Sequence, residues 1–285
     1  MVSDQATTVR ELLAFYLEAG VDCALGDEPI DRLSDLTPPD RPTTAEAGTA
    51  PVAARQPPHQ TATATPRAGI APPPDIAIES AREAASTAPS LEALRALLES
   101  FEGCALKFTA SQLVFADGNP QAQLMFVGEA PGRDEDIEGL PFVGRSGQLL
   151  NRMIGAIGIK RSDVYIANVI PWRPPGNRTP TPQETQICLP FIRRQVELVN
   201  PDVLVTLGNP STQTLLQTRE GIMKTRGKWF DYDTGTRTIR AMATFHPAYL
   251  LRSPSYKRMA WLDLRAIAKA LEGKALEGKA PEQSA

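Results

Sequence analysis

Cysteine and histidine are scarce in this chain: three Cys and two His among 285 residues. Three widely spaced cysteines cannot make a disulfide framework, and an odd number in a chain with no secretory leader points to reduced thiols and a cytoplasmic location. Long apolar runs are also missing. None approaches the roughly 18–20 consecutive apolar residues a membrane helix needs. Asp4, Arg10 and Glu11 come before any apolar stretch, the wrong order for a secretory signal. Membrane and secreted classes are set aside on these grounds.

No strong charge of either sign is present; the formal net charge is −3. It is unevenly spread, with six Lys/Arg against thirteen Asp/Glu in residues 1–90, and twenty-four against twenty in 91–285. An acidic arm on a mildly basic body is compatible with nucleic-acid binding but equally with a metabolic enzyme.

Proline, by contrast, is plentiful, and eleven of the 26 fall between Leu36 and Ser90. The Ala/Thr/Pro composition of residues 36–89 buries too little apolar surface to offset its ordering entropy, so a mobile tether is expected there. His59 lies within it with no cysteine nearby, and no metal site is expected. Ahead of the tether, in residues 1–35, Val9, Leu12, Leu13, Tyr16, Leu17 and Val21 have helical spacing over Thr8–Ala24. One amphipathic helix cannot bury its own apolar face, so it is expected to dock on the body or on a partner.

The folded body is expected over residues 90–272. Helical patterns at Leu91–Leu98, Gly147–Ile157, Thr181–Asn200, Ser211–Gln217 and Lys257–Leu271 alternate with strand patterns at Ala122–Val127, Val164–Val169, Val203–Leu207 and Ile239–Thr244. That alternation predicts an α/β fold with a mostly parallel sheet covered on both faces. Residues 273–285, which begin inside two Ala-Leu-Glu-Gly-Lys repeats spanning 270–279, read as a solvated tail. Ligands of such sheets bind at the carboxyl ends of the strands. The loops there carry Glu129, Asn168, Asn209 and His246, so the polar residues most useful for chemistry lie at one edge.

The turn Gly128-Glu-Ala-Pro-Gly-Arg-Asp-Glu-Asp136 is glycine-rich, yet its four carboxylates would repel a polyphosphate and no Gly-Lys-Ser/Thr ending follows. Its carboxylates suit positioning a water or stabilising a developing cation, or simply form an acidic surface turn. His246, the one histidine of the body, can donate to an oxygen that gains negative charge, or serve a structural hydrogen bond. Asn168 offers a planar donor–acceptor pair matching a nucleobase edge, or ends a strand. Phe142, flanked by Gly139 and Gly144, can stack on a flat ligand or plug the core. The Arg173-Pro-Pro-Gly-Asn-Arg178 and His246-Pro-Ala-Tyr-Leu-Leu-Arg252 loops suit phosphate contacts and an apolar wedge between bases, or are ordinary turns.

Taken in order, Gly128-Glu-Ala-Pro-Gly132, Pro141-Phe-Val-Gly144, Val164-Tyr-Ile-Ala-Asn168, Arg173-Pro-Pro-Gly-Asn-Arg178 and His246-Pro-Ala-Tyr-Leu-Leu-Arg252 resemble the family 4 uracil-DNA glycosylases. The resemblance covers about Ser90 to Leu271. It implies a three-layer α/β/α domain that flips uracil out of DNA and hydrolyses its N-glycosidic bond, leaving an abasic site. In that scheme Gly128, Ala130, Phe142 and Asn168 hold the base, and His246 stabilises the anion forming at O2. Gly208, Asn209, Leu250 and Arg252 contact the strand, with Leu250 as the wedge. Several related families carry an Asp where this chain has Ala130, so water positioning falls to Glu129, Glu135 or Asp136, with Glu135 favoured. The loop 173–182 has no His of the kind that captures DNA covalently in some relatives, so turnover is expected. The implied partner is uracil-containing DNA, the implied state a monomer, and the N-terminal helix then docks on the body or on another repair protein.

The resemblance also implies a [4Fe–4S] cluster on four cysteines, and here the chain departs from it. Cys104 and Cys188 remain, while Lys107 and Trp172 stand where the other two thiolates belong, and Cys23 is remote. No cluster and no other cofactor are expected, with the vacated space filled by Trp172 and Phe108. Two other readings follow from these departures: a glycosylase with a wider choice of deaminated bases, such as hypoxanthine or xanthine, and a non-catalytic DNA-binding module descended from a glycosylase.

Overall fold

A computed structural model of the chain describes residues 73–277. The expected N-terminal helix and most of the expected tether lie outside the described residues. The first described helix, α1 (Pro74–Thr87), occupies a stretch expected to be tether. The helix there has a simple cause. Ala77, Ala81, Ala85 and Ala88 are buried along one stripe, and alanine combines the best helix propensity with a small side chain that lets helices lie close. Few aliphatics therefore did not mean no buried face. α2 (Leu91–Ser100) follows, N-capped by Ser90, whose Oγ accepts from the Ala93 amide at 3.2 Å, and it buries Leu94 and Leu98.

Next come β1 (Ala116–Gly118), β2 (Leu124–Gly128), α3 (Arg133–Glu138), α4 (Arg145–Ala156), β3 (Tyr165–Asn168), α5 (Pro182–Val199) and β4 (Val203–Leu207). The chain ends with α6 (Asn209–Leu216), α7 (Ile222–Thr225), β5 (Trp229–Asp233), β6 (Thr238–Thr244), α8 (Pro247–Arg252) and α9 (Lys257–Glu277). One six-stranded sheet runs in the order β1-β3-β2-β4-β6-β5. Its four inner strands are parallel, and β1 and β5 are antiparallel edges. The inner strands and all five expected helices lie where the hydrophobic pattern puts them. The two edges do not announce themselves: β1 is three residues long and β5 has an irregular pattern. β5 turns into β6 at Gly235, where Asp233 Oδ1 accepts the Gly235 amide at 2.8 Å.

Period-two alternation sends the strand side chains to two cores. Met125, Val127, Tyr165, Ala167, Leu204 and Ala241 face α1, α2 and α5, while Leu124, Phe126, Ile166, Val205 and Met242 face α4, α8 and α9. The result is a three-layer α/β/α domain. Each of the Val, Leu, Ile, Phe and Met side chains among them contributes about 1.5–3 kcal/mol by full burial. β2 leads to β3 on one side and β4 lies on the other, so the direction of winding reverses at the carboxyl end of β2, where a ligand crevice is expected. No helix among the described residues is long and apolar enough to cross a membrane.

Candidate active site

A cleft of about 560 Å³ opens at that switch point, lined from the ends of all four parallel strands. Gly128, the last residue of β2, stands opposite Asn168, the last of β3. A Cβ on Gly128 would lie 2.4 Å from Asn168 Oδ1 and 2.6 Å from Phe142 Cζ. Only glycine lets the carboxamide and the ring converge. Asn168 is 4% exposed, and its Oδ1 is buried with no hydrogen-bond partner. A buried acceptor left open costs about 1–3 kcal/mol unless something donates to it.

Phe142 sits at φ +55, a conformation costly for a bulky residue and held only where the surroundings enforce it. Two clamps do so. Arg161 donates to the carbonyls of Pro141 at 2.6 Å and Phe142 at 3.0 Å, and is itself paired with Asp117 at 2.7 Å. Glu135 accepts from the amides of Gly132 at 3.1 Å and of Val143 and Gly144 at 3.0 Å. The buried Glu135 carboxylate, favoured from sequence for holding water, is thus committed to the backbone of the loop. Asp136 is committed as well, to the amide and hydroxyl of Ser111 at 2.8 and 2.9 Å. Neither clamp was visible in the sequence, because each joins residues that only the fold brings together.

Glu129 is the carboxylate that lines the cleft and has no hydrogen bond or ion pair among the described residues. Burial pushes its carboxyl above the usual carboxylate range. Ala130 lines the cleft beside it, half-buried.

His246 N-caps α8: its Nδ1 accepts the Ala248 amide at 3.1 Å, which leaves the ring proton on Nε2. Burial, with a smaller contribution from the Arg252 charge, lowers its pKa from 6.5 to about 4, so the imidazole is neutral at pH 7. Its ring centre is 5.5 Å from that of Phe142, the planes inclined by 34°. Gly208 permits this placement: it adopts φ +87, and a Cβ there would come within 2.9 Å of His246 Cβ. Asn209 begins α6 and lines the cleft, its Oδ1 buried and without a partner.

Leu250 is not available as a wedge. It is 1% exposed. The segment read as a loop is α8, and Phe245 just before the cap and Leu250 four residues after it are buried in the same core, the arrangement of a hydrophobic staple. Tyr249 and the exposed Arg252 line the cleft instead. Arg178, expected to meet phosphate, is bidentate on Glu184 at 2.6 and 2.9 Å and braces the start of α5. Behind His246, Asp263 joins Thr244 Oγ1 at 2.7 Å and Arg226 Nε at 3.0 Å, and so anchors the end of β6.

The donor set does not fit a four-thiolate cluster. Cys104 and Cys188 are fully buried with their Sγ atoms 3.9 Å apart. Lys107 Nζ donates to the Glu99 carbonyl at 2.6 Å, and Trp172 is 2% exposed within the same core. Among the described residues no group of three or more metal-ligating side chains is gathered in one place, and Cys23 lies outside them. Phe108 does not fill such a space, since that ring is 48% exposed. Trp172 is buried in the same hydrophobic core as the two cysteines.

The sequence model of the uracil DNA glycosylase superfamily matches residues 115–265. Over 176 residues the chain is 40% identical to a type-4 uracil-DNA glycosylase of Saccharolobus solfataricus, covering 60% of this chain and 82% of the relative. A type-4 uracil-DNA glycosylase of Thermotoga maritima is 44% identical over 153 residues, 53% of this chain and 78% of the relative. That of Archaeoglobus fulgidus is 39% identical over 170 residues, 58% and 85%. With its three-layer domain, this match across the whole cleft and the identity to these relatives over most of their length, the chain belongs to the type-4 uracil-DNA glycosylases of the uracil DNA glycosylase superfamily.

Proposed function

We propose that the chain is a monofunctional uracil-DNA glycosylase, acting as a monomer on uracil flipped out of DNA. The observation that carries this is the buried, unpartnered Oδ1 of Asn168 beside the ring of Phe142. Uracil offers what that oxygen lacks. Its N3–H donates to Oδ1 while its O4 accepts from Nδ2. Cytosine has no hydrogen on N3 and turns an amine toward Nδ2, so it leaves two groups unmatched. Phe142 supplies a stacking face. The low cysteine count supports work in a reducing, cytoplasmic setting.

In the reaction the N1–C1′ bond breaks and its electron pair passes into the uracil ring, with charge growing on O2. The neutral His246 donates from Nε2 to that oxygen. A neutral donor stabilises the anion without trapping it as the acid. The sugar cation is attacked by water, whose oxygen bonds to C1′ while Glu129 takes its proton. An elevated carboxyl pKa makes Glu129 a stronger base than an exposed carboxylate.

Hypoxanthine presents the same O6/N1–H pattern, and a 560 Å³ cleft has room for a purine. It is the specific second substrate to try. The test is incubation with labelled oligonucleotides containing uracil or hypoxanthine, followed by alkali. Asn168→Asp and His246→Ala should abolish cleavage at uracil while retaining DNA affinity. A wild-type protein that binds but never cleaves supports the non-catalytic module instead.

A further inference from the structure

Two buried oxygens in the described structure have no hydrogen-bond partner, Asn168 Oδ1 and Asn209 Oδ1, and both residues line the cleft. Base recognition accounts for the first and leaves the second idle. Asn209 follows Gly208 directly beyond β4. Thr206 of β4 is level with Val127 of β2, and Leu207 is level with Thr244 of β6. Continuing those registers by two residues puts Gly208 level with Glu129 and Asn209 level with His246, one residue along the chain from the first pair. Glu129 is the other acceptor group lining this cleft whose side chain has no hydrogen bond or ion pair among the described residues, so two open acceptors share one cleft.

The chemistry of the ligand decides what fills it. An internal nucleotide offers no N–H or O–H from its phosphate or deoxyribose, so the DNA backbone cannot satisfy Asn209 Oδ1. Uracil joined through N1 has one N–H, at N3, and Asn168 takes it. Water remains, with two hydrogens.

We propose that Asn209 Oδ1 and the Glu129 carboxylate together hold the hydrolytic water, one hydrogen to each, leaving an oxygen lone pair for C1′. This deepens the uracil-excision reading and rests on it, and it gives Asn209 a task other than the strand contact expected from sequence. As the O–C1′ bond forms and the N1–C1′ bond breaks, Glu129 accepts one proton. The carboxamide of Asn209 accepts no proton and serves to orient. Two fixed acceptors define the direction of attack where one would leave the water free to swing.

The test compares full-length wild type, Asn209→Leu, Asn209→Ala and Asn209→Asp on a uracil-containing oligonucleotide. It reads the single-turnover rate at saturating enzyme, the Kd for DNA and the melting temperature. Loss of the oxygen in the Leu and Ala variants should slow the single-turnover step by about 10- to 100-fold with Kd unchanged, and Asp, which restores an acceptor, should recover most of it. If Leu does not fold, Ala decides. An unchanged rate overturns the inference. So does a weakened Kd with the rate at saturation intact, since that is what a strand contact produces. A wild type inactive on uracil overturns the functional reading itself, which separates the two failures.

Discussion

The backbone N–H of Ala248 donates to His246 Nδ1 across 3.1 Å, so one hydrogen bond both caps α8 and fixes which nitrogen of the ring faces outward as a donor. The same burial that keeps this imidazole neutral makes it a liability in acid. Its pKa falls from 6.5 to about 4 on folding, so between those values the unfolded chain binds more protons than the folded one. The stability His246 contributes is fully present above about pH 6.5 and is lost as pH drops toward 4, by roughly 3 kcal/mol at most. Urea unfolding at pH 7 and pH 4 should show this loss in wild type and a smaller one in His246→Gln. Equal losses would mean other groups carry the acid sensitivity.

Glu129 and Glu135 separate chemistry from architecture. Glu129→Gln removes an unpartnered, partly buried carboxylate, so stability should hold or rise slightly while the single-turnover rate falls by about 10²-fold or more. Glu135→Gln disturbs three amide contacts and should cost about 1–3 kcal/mol. Its effect on rate should follow from a loosened Phe142. Denaturation curves and single-turnover rates on the two variants check this, and a rate loss confined to Glu135→Gln would reverse the assignment.

Leu250→Ala opens a cavity in the second core and should destabilise by about 2–5 kcal/mol. A wedge residue on the surface would instead lose uracil excision from duplex DNA with its melting temperature unchanged. Melting curves beside excision assays on single- and double-stranded substrate distinguish the two.

Trp172→Ala should cost about 3–5 kcal/mol, because it opens a large cavity in the core that also holds Cys104 and Cys188. The Cys104→Ala/Cys188→Ala double variant should fold and excise uracil in the presence of chelator. Loss of activity on chelation, restored by iron, would show that the remaining thiols serve a metal.

Much of the architecture is legible in residue order. The runs Leu124–Val127, Ile166–Ala167 and Val203–Leu207 are buried on both faces and read plainly as parallel strands, and their ends locate Glu129, Asn168, Asn209 and His246 before any coordinates. Three features escape for physical reasons. α1 buries alanines, which hydrophobic-run reading discounts. Leu250 lies in a segment that looks like a loop until His246 is recognised as a helix cap and Phe245–Leu250 as its staple. Glu135 and Asp136 are held by partners 3 to 25 residues away, which only folding supplies.

Uracil excision without a cluster is tested by single-turnover cleavage of a labelled uracil-containing oligonucleotide by full-length protein, with chelator present and no iron added. One alkali-sensitive break at the uracil per substrate molecule is expected, absent in the Asn168→Asp and His246→Ala variants. Tight binding to the same oligonucleotide with no break would contradict it.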